Sequence, residues 1–207
     1  MRNVLREEIA RGITAPETAS DTMAFTGRRP KDLCGYDAAS YRQSVADLAE
    51  ILCIFYSNGV RRFILGGAQG FDQLAFWAVH RLKTRKGCAD AENILYLPFR
   101  RQERRWAETG CFSQKEYRQM LSLADSVRII SDNNSIRALF DRNHAMINDS
   151  GILLGLYPDD SWRTAKGGTA ECLRYAVSCK RPVDVYQLKY NAQPDGLRLT
   201  EIVPITV

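Results

Sequence analysis

With 207 residues, 45% hydrophobic and 26% charged, the chain is long enough for one α/β domain burying roughly 70% of its unfolded surface, and its composition excludes disordered and fibrous classes. A formal net charge of +5 suits an anionic ligand but falls short of the basic stripe of a dedicated DNA binder. No apolar run approaches the roughly 18 residues of a membrane span, and the N-terminal MRNVLREEIARG lacks the apolar core of a signal peptide, so a cytoplasmic protein without a membrane partner is expected.

Residues 1–20 read as an extension, a short helix at Val4–Ala10 followed by a polar linker through Pro16. Thr22–Thr26 is the first expected strand. Asp37 is placed to cap a helix whose apolar face is Tyr41, Val45, Leu48, Leu52 and Phe55, ending at Asn58-Gly59. Arg62–Leu65 is the second strand and runs into Gly66-Gly67. A helix with Phe71, Leu74, Ala75, Ala78 and Leu82 on one stripe follows, then the strand Asn93–Leu97. Ser113 and Glu116 form a capping box ahead of a helix carrying Tyr117, Met120 and Leu121. Ser126–Ile130 is the fourth strand, Ser135–Asp149 a helix, Gly151–Leu156 the fifth strand, Thr169–Cys179 a helix and Pro182–Tyr186 the sixth strand. The tail over 191–207 offers an edge strand at Ile202–Val207.

Strands alternating with helices predict right-handed crossovers, and so a Rossmann-like α/β fold: a parallel sheet of about six strands with helices on both faces, over residues 21–190. Ligands of such sheets bind beyond the C-terminal strand ends, near the point where strand order reverses. The informative segments all follow strands.

The turn Gly66-Gly67-Ala68-Gln69-Gly70-Phe71-Asp72 is the strongest local signal. Its glycines let the backbone approach a ligand, and the amides of the next helix favour a phosphate. Asp72 either accepts from a ribose hydroxyl or only complements the helix dipole. Lys166-Gly167-Gly168-Thr169 repeats the arrangement before a later helix, either as a second phosphate loop or as a flexible loop with Thr169 as cap. Arg28 and Arg29 follow the first strand, where arginine suits bidentate phosphate recognition. In Pro98-Phe99-Arg-Arg-Gln-Glu-Arg-Arg-Trp106, Trp106 either stacks a base, with Gln102 or Arg105 reading it, or packs as a cover. Asn143 interrupts an apolar helical stripe and needs a buried partner or a ligand. Strand-end carboxylates available to catalysis are few, with Asp72 and Glu171 as the candidates. Six cysteines without a C-x-x-C pair read as reduced thiols, and with only His80 and His144 no metal site or other cofactor is expected.

In order and spacing, Thr26-Gly27-Arg28-Arg29-Pro30, Gly66–Asp72, Pro98-Phe99 with Gln102 and Trp106, Tyr117 to Asp125, Arg142-Asn143 with Met146, and Lys166–Thr169 resemble the YpsA-like family of the SLOG superfamily, over about residues 22–186. That superfamily also includes DprA and the LOG phosphoribohydrolases. The resemblance implies a pocket for nucleotides or nucleotide-derived signals built from Thr26, Gly27, Arg28, Gly66, Gly67, Ala68, Gln69, Gly70, Asp72, Arg142, Asn143, Gly167, Gly168 and Thr169. By analogy with the superfamily it also implies a homodimer. The LOG pattern P-G-G-x-G-T-x-x-E places its catalytic glutamate where this chain has Cys172, and Glu171 lies one residue early, about 100° round the helix. Three functions follow: binding and sensing of an ADP-ribose-like ligand, N-glycosidic cleavage of a nucleoside monophosphate, and, least favoured by the mild charge, single-strand nucleic-acid binding through RRQERRW.

Overall fold

Strand segments buried on both faces are the mark of a parallel sheet covered on both sides, and four of the strands here have that character. They are β1 (Thr22–Thr26), β2 (Arg62–Leu65), β3 (Glu92–Leu97) and β5 (Ile152–Leu156). A computed structural model describes Ile13 and residues 20–33, 35–193 and 196–205. The expected helix at Val4–Ala10 lies outside those residues, as does its linker apart from Ile13. The remaining strands are β4 (Ser126–Ile129), β6 (Asp184–Gln193) and β7 (Gly196–Pro204).

Five helices connect them: α1 (Ala38–Ser57), α2 (Phe71–Lys83), α3 (Gln114–Leu123), α4 (Ile136–Asn148) and α5 (Gly168–Val177). The sheet order is β4-β3-β2-β1-β5-β6-β7, parallel from β4 through β6 and antiparallel at the β6–β7 edge. Helices α1, α2 and α3 pack on one face against Met23, Phe25, Phe63, Leu65, Leu95 and Leu154. Helices α4 and α5 pack on the other against Ala24, Ile64, Ile94, Tyr96 and Leu153. Alternate residues of one strand thus serve opposite cores, as the two-residue period requires.

The chain leaves β1 in one direction for β2, β3 and β4, then crosses back over the other face to β5. Strand order therefore reverses between β1 and β5, which pair with Thr26 opposite Gly155. The strand count is seven where the sequence predicts about six. β6 continues past Tyr186 to Gln193, and the tail returns from Gly196, so the edge strand begins well before Ile202. Tyr190, Leu197, Leu199 and Ile202 are buried against the α1–α3 core, which gives this hairpin the apolar burial an isolated one lacks. Among the described residues no helix is long and apolar enough to cross a membrane.

Candidate ligand-binding cleft

The C-terminal end of β1 and the glycine turn after β2 interlock through their backbones. The Phe71 N–H donates to the Arg28 carbonyl at 3.1 Å, and a Cβ on Gly70 would lie 2.2 Å from that carbonyl oxygen. Gly70 also sits at φ +101, so no other residue fits this crossing. On the far side the Thr169 hydroxyl donates to the Gly27 carbonyl at 2.7 Å, tying the start of α5 to the same short segment. The three loops named in the sequence therefore meet at one point, above the β1/β5 reversal.

They enclose a cleft with a cavity volume of about 420 Å³. Thr26, Gly27, Arg28, Arg29, Ala68, Gln69, Asp72, Arg142, Asn143, Gly167, Gly168 and Thr169 all line it. Arg142 is 6% exposed, and its Nη1 lies 3.5 Å from the Asp72 carboxylate. Its Nε donates to Asn143 Oδ1 at 2.9 Å, which is the buried partner that Asn143 needs. Nη1 itself has no hydrogen-bond partner. Burial pushes the Asp72 carboxyl up from its ordinary range, against the opposing pull of Arg142, the Ala68 N–H and Arg29.

The two helices that point into the cleft differ from the others at their N-termini. Side chains of Asp37, Ser113 and Ser135 cap α1, α3 and α4, whereas α2 and α5 begin at Gly70 and Gly167 with no side-chain cap. Thr169, one of the two expected roles of which was helix cap, instead spends its hydroxyl on Gly27. At α2 the donors are largely consumed within the protein, Phe71 N–H by Arg28 and Gln73 N–H by Gly70, and in the turn before it Ala68 N–H donates to Asp72 Oδ2 at 3.2 Å. At α5 the first intrahelical bond is Glu171 N–H to Gly167. The N–H groups of Gly168, Thr169 and Ala170 have no partner among the described residues, and all three residues line the cleft. An uncapped helix end of this kind attracts an anion through its amides and its dipole together.

The opposite wall is apolar. Ile136, Leu139, Phe140 and Met146 of α4 line it, with Ile136 75% and Phe140 37% exposed. The expected apolar stripe of this helix is thus divided. Met146 and Ile147 enter the core, while the first turns stand beyond the sheet and face the cleft. No signal in the sequence separates the two halves, since periodicity reports a face and not what covers it. Lys31 and Asp32, in a 3-10 turn at Pro30–Asp32, complete the mouth, and no local signal in the sequence marks them.

Other sequence candidates sit elsewhere. Gln102 donates to the Gly66 carbonyl at 3.2 Å and to the Tyr117 hydroxyl at 2.9 Å, so it backs Gly66 and Gly67 from the α3 side. Trp106 packs edge-on against Tyr117 at 5.2 Å, half-buried as a cover. Neither lines the cleft. Glu171 Oε1 is 2.6 Å from His144 Nε2, and the His144 ring stacks on Tyr175 at 3.8 Å, so this carboxylate joins α5 to α4. Cys172, where the LOG pattern has glutamate, is buried against Thr26, and burial pushes its thiol up to about 12. Arg28 is engaged by Asp32 at 3.2 Å and lies 5.2 Å over the Tyr157 ring.

A parallel sheet reversing between β1 and β5, with glycine turns and an arginine meeting at that reversal, defines a Rossmann-like α/β protein with its candidate site at the switch point. Comparison with known proteins is more specific. The model of the YspA SLOG family (YpsA) matches residues 23–190, and the chain belongs to that family. It is also 32% identical over 127 residues to an uncharacterized SPbeta prophage-derived protein, YoqJ, of Bacillus subtilis (strain 168), an alignment covering 56% of this chain and 68% of that protein.

Proposed function

We propose that the cleft binds a nucleotide-type ligand of the ADP-ribose kind, with its phosphate on the amides of Gly168, Thr169 and Ala170 and its base against Ile136, Phe140 and Met146. The observation that carries this reading is the meeting of three N–H groups without a partner among the described residues with the buried Arg142 guanidinium, ion-paired to Asp72, beside an apolar wall. A nucleotide offers both characters at once, an anion and a planar apolar group, and pockets of this size hold such ligands. Arg29 and Lys31 at the mouth add positive potential.

Binding without turnover is the reading the cleft chemistry supports. Of the carboxylates lining the cleft, Asp32 pairs with Arg28 and Asp72 with Arg142. Glu171 pairs with His144, and a neutral thiol occupies the position of the glutamate used in the LOG pattern. No carboxylate there is poised to act on a glycosidic bond.

The test is thermal denaturation with a nucleotide panel that includes ADP-ribose and AMP, compared between wild type and Gly168→Pro. Proline is tolerated at a first helical position, and a Cβ there would lie no closer than 3.8 Å to Asn143 Nδ2, so the substitution removes one N–H and leaves the fold. The wild type is expected to be stabilised and the variant less so at unchanged unliganded stability. Absence of any shift at saturating ligand, or free base released from AMP, would refute the reading.

A further inference from the structure

Asp72 and Arg142 are the two charged residues of the cleft lining that are buried from water. Asp32, the other carboxylate of the lining, is partly exposed and lies 3.2 Å from Arg28. The buried pair is loosely made. Arg142 Nη1 stands 3.5 Å from Asp72 Oδ2 with no hydrogen bond between them. Among the described residues the carboxylate accepts one hydrogen bond, from the Ala68 N–H at 3.2 Å. Arg142 Nε is spent on Asn143 at 2.9 Å. A buried carboxylate keeps its charge when several donors or a close cation hold it. Asp72 has one donor and a distant cation, and burial pushes its carboxyl up from the ordinary range.

Other titratable groups surround it. Arg29, from the loop after β1, joins Arg142 in opposing the effect of burial. Cys172, from α5, is a thiol that burial pushes up to about 12, and next to it in α5 Glu171 is held by His144 at 2.6 Å. Tyr117, from α3, stands behind Gly67, its hydroxyl also pushed up by burial. Asp72 is thus the buried acid of the lining whose charge is least well held.

We infer that the cleft takes up a proton together with its anionic ligand, and that Asp72 receives it. The inference rests on the proposed binding of a phosphate-bearing ligand in this cleft. A phosphate drawing on the Arg142 guanidinium weakens the hold of that cation on Asp72 and brings a second negative charge into the same water-poor space. Protonating the weaker acid relieves the crowding, and a buried carboxyl is a far weaker acid than a phosphodiester. The proton comes from solvent and stays on an Asp72 oxygen. Asp72 then has a higher pKa with ligand than without. Affinity is therefore greatest below the ligand-free value, falls by about tenfold per pH unit at most between the two values, and is level above them.

Calorimetric titration of the full chain with ADP-ribose, repeated in buffers of different ionisation enthalpy, counts the protons. Between about pH 6 and 8 the observed heat should depend on the buffer, uptake should approach about one proton per ligand, and affinity should fall as pH rises. ADP-ribose has no group of its own titrating in that range. Infrared difference spectra of the wild type should gain the carbonyl band of a protonated carboxylic acid on addition of ADP-ribose, a readout that needs no variant. Asp72→Asn should lose both the uptake and the band. Histidine is the residue type that exchanges protons near neutrality, so His144→Gln is the control and should keep both. Heats independent of buffer with binding intact, no carboxylic acid band, uptake unchanged in Asp72→Asn, or uptake lost in His144→Gln would overturn this inference and leave ligand binding standing. Absence of ADP-ribose binding, by heat and by thermal shift, would instead overturn the reading of the cleft and this inference with it.

Discussion

Arg142 and Asp72 meet directly over Gly66: a Cβ at that glycine would lie 1.5 Å from Arg142 Nη1 and 2.7 Å from Asp72 Oδ2. The first glycine of the Gly66–Asp72 turn is thus required by an ion pair. The pair joins α4 to α2 across the switch point.

Removing one partner of this pair strands the other charge in a buried site. Arg142→Met and Asp72→Leu should each cost about 3 kcal/mol in denaturant unfolding, and the double variant should cost less than either alone. Additive losses in the double-mutant cycle would mean the two groups do not interact.

Gly66→Ala should displace the guanidinium and lower stability by about 2 kcal/mol, the scale of overpacking in a close-packed interior. In the background of Arg142→Ala the same substitution should cost much less. Equal penalties in both backgrounds, measured by urea midpoints, would show that the strain lies in the turn itself.

Phe140→Ser separates wall from core. Phe140 is partly exposed and outside the packed clusters, so stability should change by no more than about 0.5 kcal/mol. ADP-ribose binding by calorimetry should weaken by about 1 kcal/mol, from loss of apolar contact. A large fall in melting temperature with unchanged binding would place Phe140 in the core instead.

Burial pushes the Cys172 thiol up to about 12 in the folded chain from an ordinary 9.0. A group whose folded pKa is raised contributes stability that is complete below its unfolded pKa and is lost as pH rises through the folded one. Stability should therefore fall between about pH 9 and 12, and Cys172→Ala should flatten that decline, with the burial-raised Tyr190 leaving a residue of it. At neutral pH, alkylation of Cys172 should proceed at the rate of unfolding. Rapid labelling of the folded protein would contradict its burial.

Much of the fold was legible because its signals are local. Asp37 and Ser135 cap the helices the spacing predicts, and Ser113 does the same for α3. The capping box differs in one detail: the Glu116 carboxylate takes the N–H of Phe112, one residue before the cap, because Phe112 is turned into the left-handed region. The β6–β7 hairpin was understated because Lys189, Asn191 and Gln193 interrupt its apolar pattern, and its burial comes from α1 packing over it.

The sequence by itself determined the alternation of strands and helices, and hence a parallel sheet with its loops at one edge. It also marked the glycine turns and the arginine that meet there, since turn chemistry and periodicity act over a few residues. Only the tertiary structure decided how those parts divide their work. It committed the α2 amides and Asp72 to internal partners, left the α5 amides open, and turned half of the α4 stripe from core into cleft wall. Whether a donor is free or a side chain is covered depends on what arrives from elsewhere in the chain, and that is a property of packing which no short segment contains.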